Sequence, residues 1–299
     1  MLAIQPSVYK VFENIQLEVD SDYPYQWLNV GNYAGFEIVL LLKKLLEPGD
    51  VFIDVGANIG YISLNGSRFV GVGGLIIAVE ASPETRLQLQ RNVALNDARN
   101  VKIGAFAASN NHRNVRFLQA TDPGFSRLDN NDRDDFGMAI KSIFQVECLP
   151  LDEALPSLMD GRTPAVLKID VEGHELSVLQ GFTEHLKRGE TIVLYEVNRG
   201  CLGKNNVTAD EICAFLNGFD YDVFAINGLT GSWFRFGRMP IITRVDPGKE
   251  FPVRITEAMA IPRGRRNLLA RLTAHGDENE SRPKAKAVQL GAGKTWSRS

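Results

Sequence analysis

The sequence predicts an α/β protein built on a doubly wound, mostly parallel sheet, and three observations carry that prediction. Residues 51–53, Val-Phe-Ile, are apolar and β-rich without polar alternation, as a strand covered on both faces requires. The run leads through Asp54 into a glycine turn, Gly56-Ala57-Asn58-Ile59-Gly60, and about 20 residues further on a second buried strand ends in the lone carboxylate of Glu80. Helical and strand patterns then alternate through residue 198, the rhythm of βαβ units.

Taken in order, residues 1–35 read as a cap segment of short β-like pieces, with Tyr23, Tyr25 and Trp27 as an aromatic cluster. FEIVLLLKKLL at 36–46 is apolar at helical spacing and stops at Pro48-Gly49-Asp50, ahead of the first core strand. A helix follows at 61–69, a strand at 75–79, and a helix at 83–95 with Ser82 as N-cap and Pro83 in its first turn. A strand at 101–106 completes a right-handed, Rossmann-like βαβαβ half. Residues 120–140 are rich in Asp, Asn and Gly and too long for a simple connection, so they read as a lid or a disordered surface loop. Beyond them come a strand at 142–148, a helix from Leu151, a buried strand at 165–169, a helix at 175–186 and a strand at 191–195. A helix at 209–216 and aromatic strands near 221–226 and 232–236 finish a core that runs from 36 to 262. From 263 to 299 the chain holds nine Lys or Arg against three acids and few large apolar residues, and is expected to stay disordered.

The chemistry gathers at strand ends. Small residues in the turn after Asp54 let a ligand approach the backbone, and Glu80 sits where a carboxylate accepts hydrogen bonds from ribose hydroxyls. The turn lacks the G-x-G-x-x-G spacing that seats a pyrophosphate, and an acidic turn repels phosphate. A cationic, phosphate-free nucleoside such as S-adenosylmethionine fits better, with Asp54 near its amino-acid end, Glu80 on the ribose and Gly56, Asn58 and Gly60 beneath it. Ala81, Ala107 and Ser109 are candidates for the adenine side, and Glu37 is either a cofactor contact or an acid compensating a helix dipole.

At 170–175 the sequence is DVEGHE, so Asp170, Glu172, His174 and Glu175 crowd one turn. Like charges resist ionising together and a histidine among them is pushed toward its cation, which suits a general base; His174 is the natural choice by pKa, with Asp170 and Glu172 as companions. Alternatively, His174 and Glu175 only open the next helix. Glu196, at the end of the next strand, either contacts substrate or shares the base role. Asp170, Glu172 and His174 also show a D-x-E-x-H spacing that a straight strand would turn to one face for a divalent metal, ranked below metal-free proton transfer because Gly173 interrupts strand geometry.

These blocks, DVGANIG at 54–60, EASP at 80–83 and LKIDVEGHE at 167–175, resemble the FkbM family of S-adenosylmethionine-dependent methyltransferases over roughly residues 36–198. Val79-Glu80-Ala81 departs from the aromatic and proline that many members carry around the acid, while keeping the ribose carboxylate. The resemblance implies a class I methyltransferase fold, a seven-stranded sheet with antiparallel C-terminal strands, S-adenosyl-L-methionine as cofactor, and O-methylation of a hydroxyl on a sugar, glycolipid part or polyketide-like metabolite. A non-catalytic S-adenosylmethionine-binding protein and an NAD-type oxidoreductase are the alternatives. An Asn- or Asp-Pro-Pro-aromatic tetrad and a Pro-Cys nucleophile, marks of nucleic-acid methylation, are absent.

Composition agrees. A 299-residue chain with 44% hydrophobic residues can bury one large core, and a net charge of −3 without a basic, aromatic stripe gives no reason to expect nucleic acid. Cys148, Cys201 and Cys213 are widely spaced without C-x-x-C pairs, which points to free thiols in a reducing compartment. With no unbroken apolar core near the N-terminus and no run long enough to span a bilayer, a cytoplasmic enzyme is expected.

Overall fold

A computed structural model describes residues 7–19, 35–121, 126–129, 139–229, 240–245 and 255–273. Strands β1 (Ser7–Lys10) and β2 (Gln16–Val19) form an antiparallel hairpin. Helix α1 (Phe36–Leu45) precedes β3 (Val51–Val55), α2 (Tyr61–Val70), β4 (Leu75–Val79), α3 (Pro83–Leu95) and β5 (Val101–Gly104). A second set follows: β6 (Ala107–Ala108), β7 (Arg113–Ala120), β8 (Arg127–Leu128) and β9 (Ile140–Leu149). Then come α4 (Leu151–Ala154), α5 (Pro156–Met159), β10 (Val166–Ile169), α6 (Glu175–Gln180), α7 (Thr183–Arg188), β11 (Ile192–Asn198), α8 (Arg199–Lys204) and α9 (Ala209–Gly218). Strands β12 (Tyr221–Leu229), β13 (Pro240–Arg244) and β14 (Ile255–Pro262) and helix α10 (Leu268–Thr273) close the chain.

Among the described residues the main sheet has eight strands in the order β13-β12-β14-β11-β10-β3-β4-β5. The five from β11 to β5 are parallel, while β14 pairs antiparallel with both β11 and β12. The order in which strands are added reverses between β3 and β10, because β4 and β5 extend the sheet one way and β11 the other. Such a switch point opens a crevice at the carboxyl ends of the strands. The expected seven strands become eight because β13 pairs with β12 on the outer edge.

Side-chain alternation sorts the core into two layers. Ile53, Ile77, Leu167 and Val193 face one layer with Val178, Leu186 and Ile212, whereas Phe52, Ile76, Val166 and Leu194 face the other with Leu41, Leu42 and Leu64. In the second layer the same alternation places Asp54, Lys168, Glu196 and Glu257 on that face, toward the strand tips, since each lies two residues from Phe52, Val166, Leu194 and Met259. Ser82 caps α3 as expected, its hydroxyl accepting the Thr85 amide at 3.2 Å.

Several boundaries differ from the sequence pattern. The strand expected at 101–106 leaves the sheet after Gly104, where the Phe106 ring occupies the space of a missing Cβ, and Ala107–Ala108 pair with β9 instead. The helix expected at 175–186 breaks at Gly181, because a Cβ there would overlap the Ser109 carbonyl oxygen. The segment read as lid or disordered loop contributes β8, which pairs with β7; residues 122–125 and 130–138 lie outside the described residues. The expected strand at 232–236 and the aromatics at 23, 25 and 27 lie outside them too. The β1–β2 hairpin docks on α3 through side-chain amides, Asn96 accepting the Gln16 N–H at 2.9 Å and Asn92 the Glu18 N–H at 2.7 Å.

The tail expected to be disordered from 263 is folded through 273. Leu268 and Leu272 are buried beneath α1 in the second core layer. Asp222, 3% exposed, accepts hydrogen bonds from Arg244 at 3.1 Å, Arg263 at 3.3 Å and Arg266. The arginines that made this stretch look solvated neutralise a buried acid. Leu272→Ala should therefore cost about 2–4 kcal/mol in urea denaturation, whereas a solvated tail would leave stability unchanged.

Candidate active site

The crevice at the switch point is a cavity of about 460 Å³, within the range of small-molecule sites. Its walls come from the tips of β3, β4, β10, β11 and β14 and from Phe117, Arg127 and Leu128 of the second sheet.

At one end Glu80, 7% exposed, ties two turns together: its carboxylate accepts the Asn58 N–H at 2.9 Å and the Ser82 N–H at 2.9 Å. Asn58 reaches this position with φ +51°. Burial pushes the Glu80 carboxyl above its ordinary range, opposed by those amide hydrogen bonds. Each carboxylate oxygen keeps a second lone pair for a ligand hydroxyl. Gly56, at φ +76°, also lines the cavity, and a Cβ there would collide with the Asp170 carbonyl oxygen, so the turns after β3 and β10 press together. Ala81, Ala107 and Ala108 complete a small-residue wall next to Phe106. Small side chains beside a carboxylate with unused lone pairs are a set that could hold a nucleoside.

Three residues assigned to the cofactor lie behind the wall. Asp54, fully buried, accepts the Ser63 hydroxyl at 2.6 Å and pairs with Lys168 at 3.4 Å, so it acts on the cavity through that lysine. Gly60 starts α2 at φ +96°, where a Cβ would meet Leu89 at 2.6 Å; its role is helix packing. Ser109 is fully buried, with its hydroxyl 3.1 Å from His174 Nε2. Glu37 is not among the lining residues; its charge acts on Glu257.

The other end is acidic. Lys168, 4% exposed, pairs with Asp170 at 3.2 Å as well as with Asp54. Burial opposes its charge, but Asp170, Asp54 and Glu257 outweigh burial and hold it well above the usual lysine range. Glu196 and Glu257 stand directly opposite each other on β11 and β14. Asp170, Glu172 and Glu196 each bring a carboxylate oxygen within 4.8 Å of the others. Burial first, then the Asp170 charge, raises Glu172, Glu196 and Glu257. Glu175, 1% exposed, is pushed up to about 7 by burial, against hydrogen bonds from the Gly173 and Val171 amides at 3.1 and 3.3 Å.

His174 lines the cavity but does not become the cation its neighbours predicted. Burial, aided by the positive charge of Arg113, lowers it to about 4, so it is neutral near pH 7 and a weak proton acceptor. The D-x-E-x-H pattern fails as a convergent set, because Glu172 at φ +53° and Gly173 at φ +98° break the extended backbone; Glu196 joins Asp170 and Glu172 instead.

Lys168 and Glu257 were missed in the sequence; the signal that could have found them is a charge among apolar strand residues, in VLKI and ITEAMAIP, where burial demands an opposite partner. Arg127 and Phe117 had no such signal, since the segment that brings them in lacks periodicity.

These shifts set a pH dependence of stability. Between its ordinary 4.5 and about 7, Glu175 is protonated in the fold and ionised in the unfolded chain; its contribution is fully present below 4.5 and lost as pH rises through about 7. Glu172, Glu196 and Glu257 act in the same direction. His174 acts oppositely, its contribution being lost as pH falls from 6.5 through about 4. Glu80, raised by burial, joins them, and with five groups against one, urea-unfolding stability should decline from about pH 5 to about pH 8. Glu175→Gln should flatten that decline and gain about 2–3 kcal/mol at the alkaline end; an unaltered slope would show Glu175 ionised in the fold.

Comparison with known proteins identifies the family. The profile of the methyltransferase FkbM domain matches residues 54–223, more than half of the chain. The hexuronic acid methyltransferase AglP of Haloferax volcanii is 29% identical over 164 residues, 55% of this chain and 62% of that protein, so the chain spans less than two thirds of this relative's length. Among solved structures, a methyltransferase FkbM from Methylobacillus flagellatus KT aligns at 18% identity and a TM-score of 0.40, covering 71% of this chain and 43% of that one. The O-methyltransferase TomG of Streptomyces achromogenes aligns at 14% identity and a TM-score of 0.40, covering 76% and 78%. On the extent of the domain match, the chain belongs to the FkbM family of S-adenosyl-L-methionine-dependent methyltransferases.

Proposed function

We propose that the protein transfers the methyl group of S-adenosyl-L-methionine to a hydroxyl oxygen of a small-molecule or glycan-type acceptor, such as a sugar, a glycolipid part or a polyketide-like metabolite. The observation that carries this reading is one cavity with a Glu80-clamped, small-residue slot at one end and a carboxylate cluster at the other. When bound, the cofactor supplies a methyl group on a cationic sulfonium. Glu80 would hold its ribose, with Gly56, Asn58 and Ala81 beneath the nucleoside and Ala107 on the adenine side. Asp170, whose side chain is 37% exposed, is placed to accept from an ammonium group. The acids favour a cationic ligand, and holding an acceptor oxygen in line with the methyl carbon supplies most of the effect.

The acidic end weighs against a dinucleotide, whose pyrophosphate it would repel, and against a binding protein without catalysis, which gains nothing from buried like charges that oppose folding. The hexuronic acid methyltransferase among its relatives supports the glycan side of the acceptor range. Residues 36–273 would form the catalytic unit. Among the described residues no helix is long and apolar enough to cross a membrane, and the three cysteines are buried and free, which supports a cytoplasmic setting.

Calorimetric titration with S-adenosylhomocysteine and, in parallel, NAD tests this reading: micromolar binding of the first alone is expected, and preference for NAD would overturn it. Glu80→Ala should weaken S-adenosylhomocysteine about 10- to 100-fold, and normal binding by that variant would remove Glu80 from the ribose.

A further inference from the structure

The methyl-transfer reading leaves open which group takes the hydroxyl proton, and the geometry points to Glu172 as the general base, with Glu196 sharing that proton. Rival groups lining the cavity are committed elsewhere. Asp170 pairs with Lys168 at 3.2 Å, the charge of the same lysine acts on Glu257, and His174 is a buried ring against Ser109. Glu175, which is not among the lining residues, uses one oxygen to accept two backbone amides.

Glu172 is aimed by construction. Its own φ of +53° is unusual for a residue with a side chain, and Gly173 behind it lies at φ +98°. A Cβ on Gly173 would stand 2.5 Å from the Cys201 carbonyl oxygen, so the turn is seated directly on α8. Glu175 ties the turn from inside through the Val171 and Gly173 amides. The Cys201 thiol donates to Glu172 Oε2 at 3.1 Å, leaving Oε1 for the acceptor. A strained backbone held from three sides is the mark of a group placed for a task.

The groups acting on Glu172 come from every neighbouring element: Asp170 on its own turn, Glu175 on α6, Cys201 on α8, Glu196 on β11 and Arg127 on β8. Glu257 on β14 and Lys168 on β10 act one step away, through Glu196 and Asp170. The acids outnumber the cations, so Glu172 and Glu196 titrate as a pair above the ordinary carboxylate range. In the step itself the acceptor oxygen forms a bond to the methyl carbon while the carbon–sulfur bond breaks. Its electron pair returns to sulfur and leaves a neutral thioether, and the hydroxyl proton passes to the Glu172 carboxylate.

The test is carbon-13 NMR of the full chain labelled at glutamate side-chain carboxyls, with the signals assigned from Glu172→Gln and Glu196→Gln. The expected result is a coupled titration of the two groups above the usual range, with Glu196→Gln moving Glu172 to lower pH. Independent, ordinary titration of Glu172 would overturn the assignment, and so would ionisation of both groups on adding magnesium alone, which would make a cation their partner. S-adenosylhomocysteine calorimetry separates the two levels: lost binding in the wild type would fail the methyltransferase reading, whereas Glu172→Gln should bind within about threefold of wild type. With labelled S-adenosylmethionine and a panel of neutral and uronic methyl glycosides, Glu172→Gln should lower kcat about 10²- to 10⁴-fold on any glycoside methylated and abolish its rise with pH. Glu172→Asp should restore part of that loss; turnover at the wild-type rate in Glu172→Gln would exclude Glu172.

Discussion

A single buried lysine holds the active end of this fold together. Lys168 stands beside Asp54 in the β3–β10 register and pairs with it and with Asp170. An unpaired ammonium at 4% exposure would cost several kcal/mol, and so would Asp54 without its lysine. Each makes the other tolerable. Because Lys168 serves β3, the turn after β10 and Glu257 of β14, its charge coordinates three segments that lie far apart in the chain. The switch point is where those segments meet.

That arrangement divides the acids by role. Asp54 and Asp170 each pair with a cation, Lys168. Glu172, Glu196 and Glu257, buried and near the Asp170 charge, hold protons longer. Burial sets the scale of this effect and like-charge repulsion adds to it. Glu80 is different again: two backbone amides satisfy it at close range, and it organises turns more than it titrates.

The second sheet gives the cavity its remaining wall. Pairing of β6 with β9 draws Ala107 and Ala108 off the end of the main sheet, and pairing of β8 with β7 brings Arg127 over Glu172. These stretches line the cavity only through strand pairing.

The α/β class, the strands ending at Val55, Val79 and Ile169, the Ser82 cap and the crowding of acids at 170–175 were all legible in the sequence, because each depends on neighbours within a few residues. Gly56, Asn58, Glu80 and Ala81 were placed in the cavity wall by the same local logic. Tertiary structure decided the rest. Gly60 and Gly181 serve close packing, Asp54 and Ser109 stand behind the wall, and His174 is neutral because burial outweighs the acids that precede and follow it. Lys168, Glu257 and Arg127 belong to the site through strand pairing. The physical reason is range: backbone preference and hydrophobic period are set by adjacent residues, whereas burial, ion pairing and proton affinity are set by whatever the fold brings within a few ångströms.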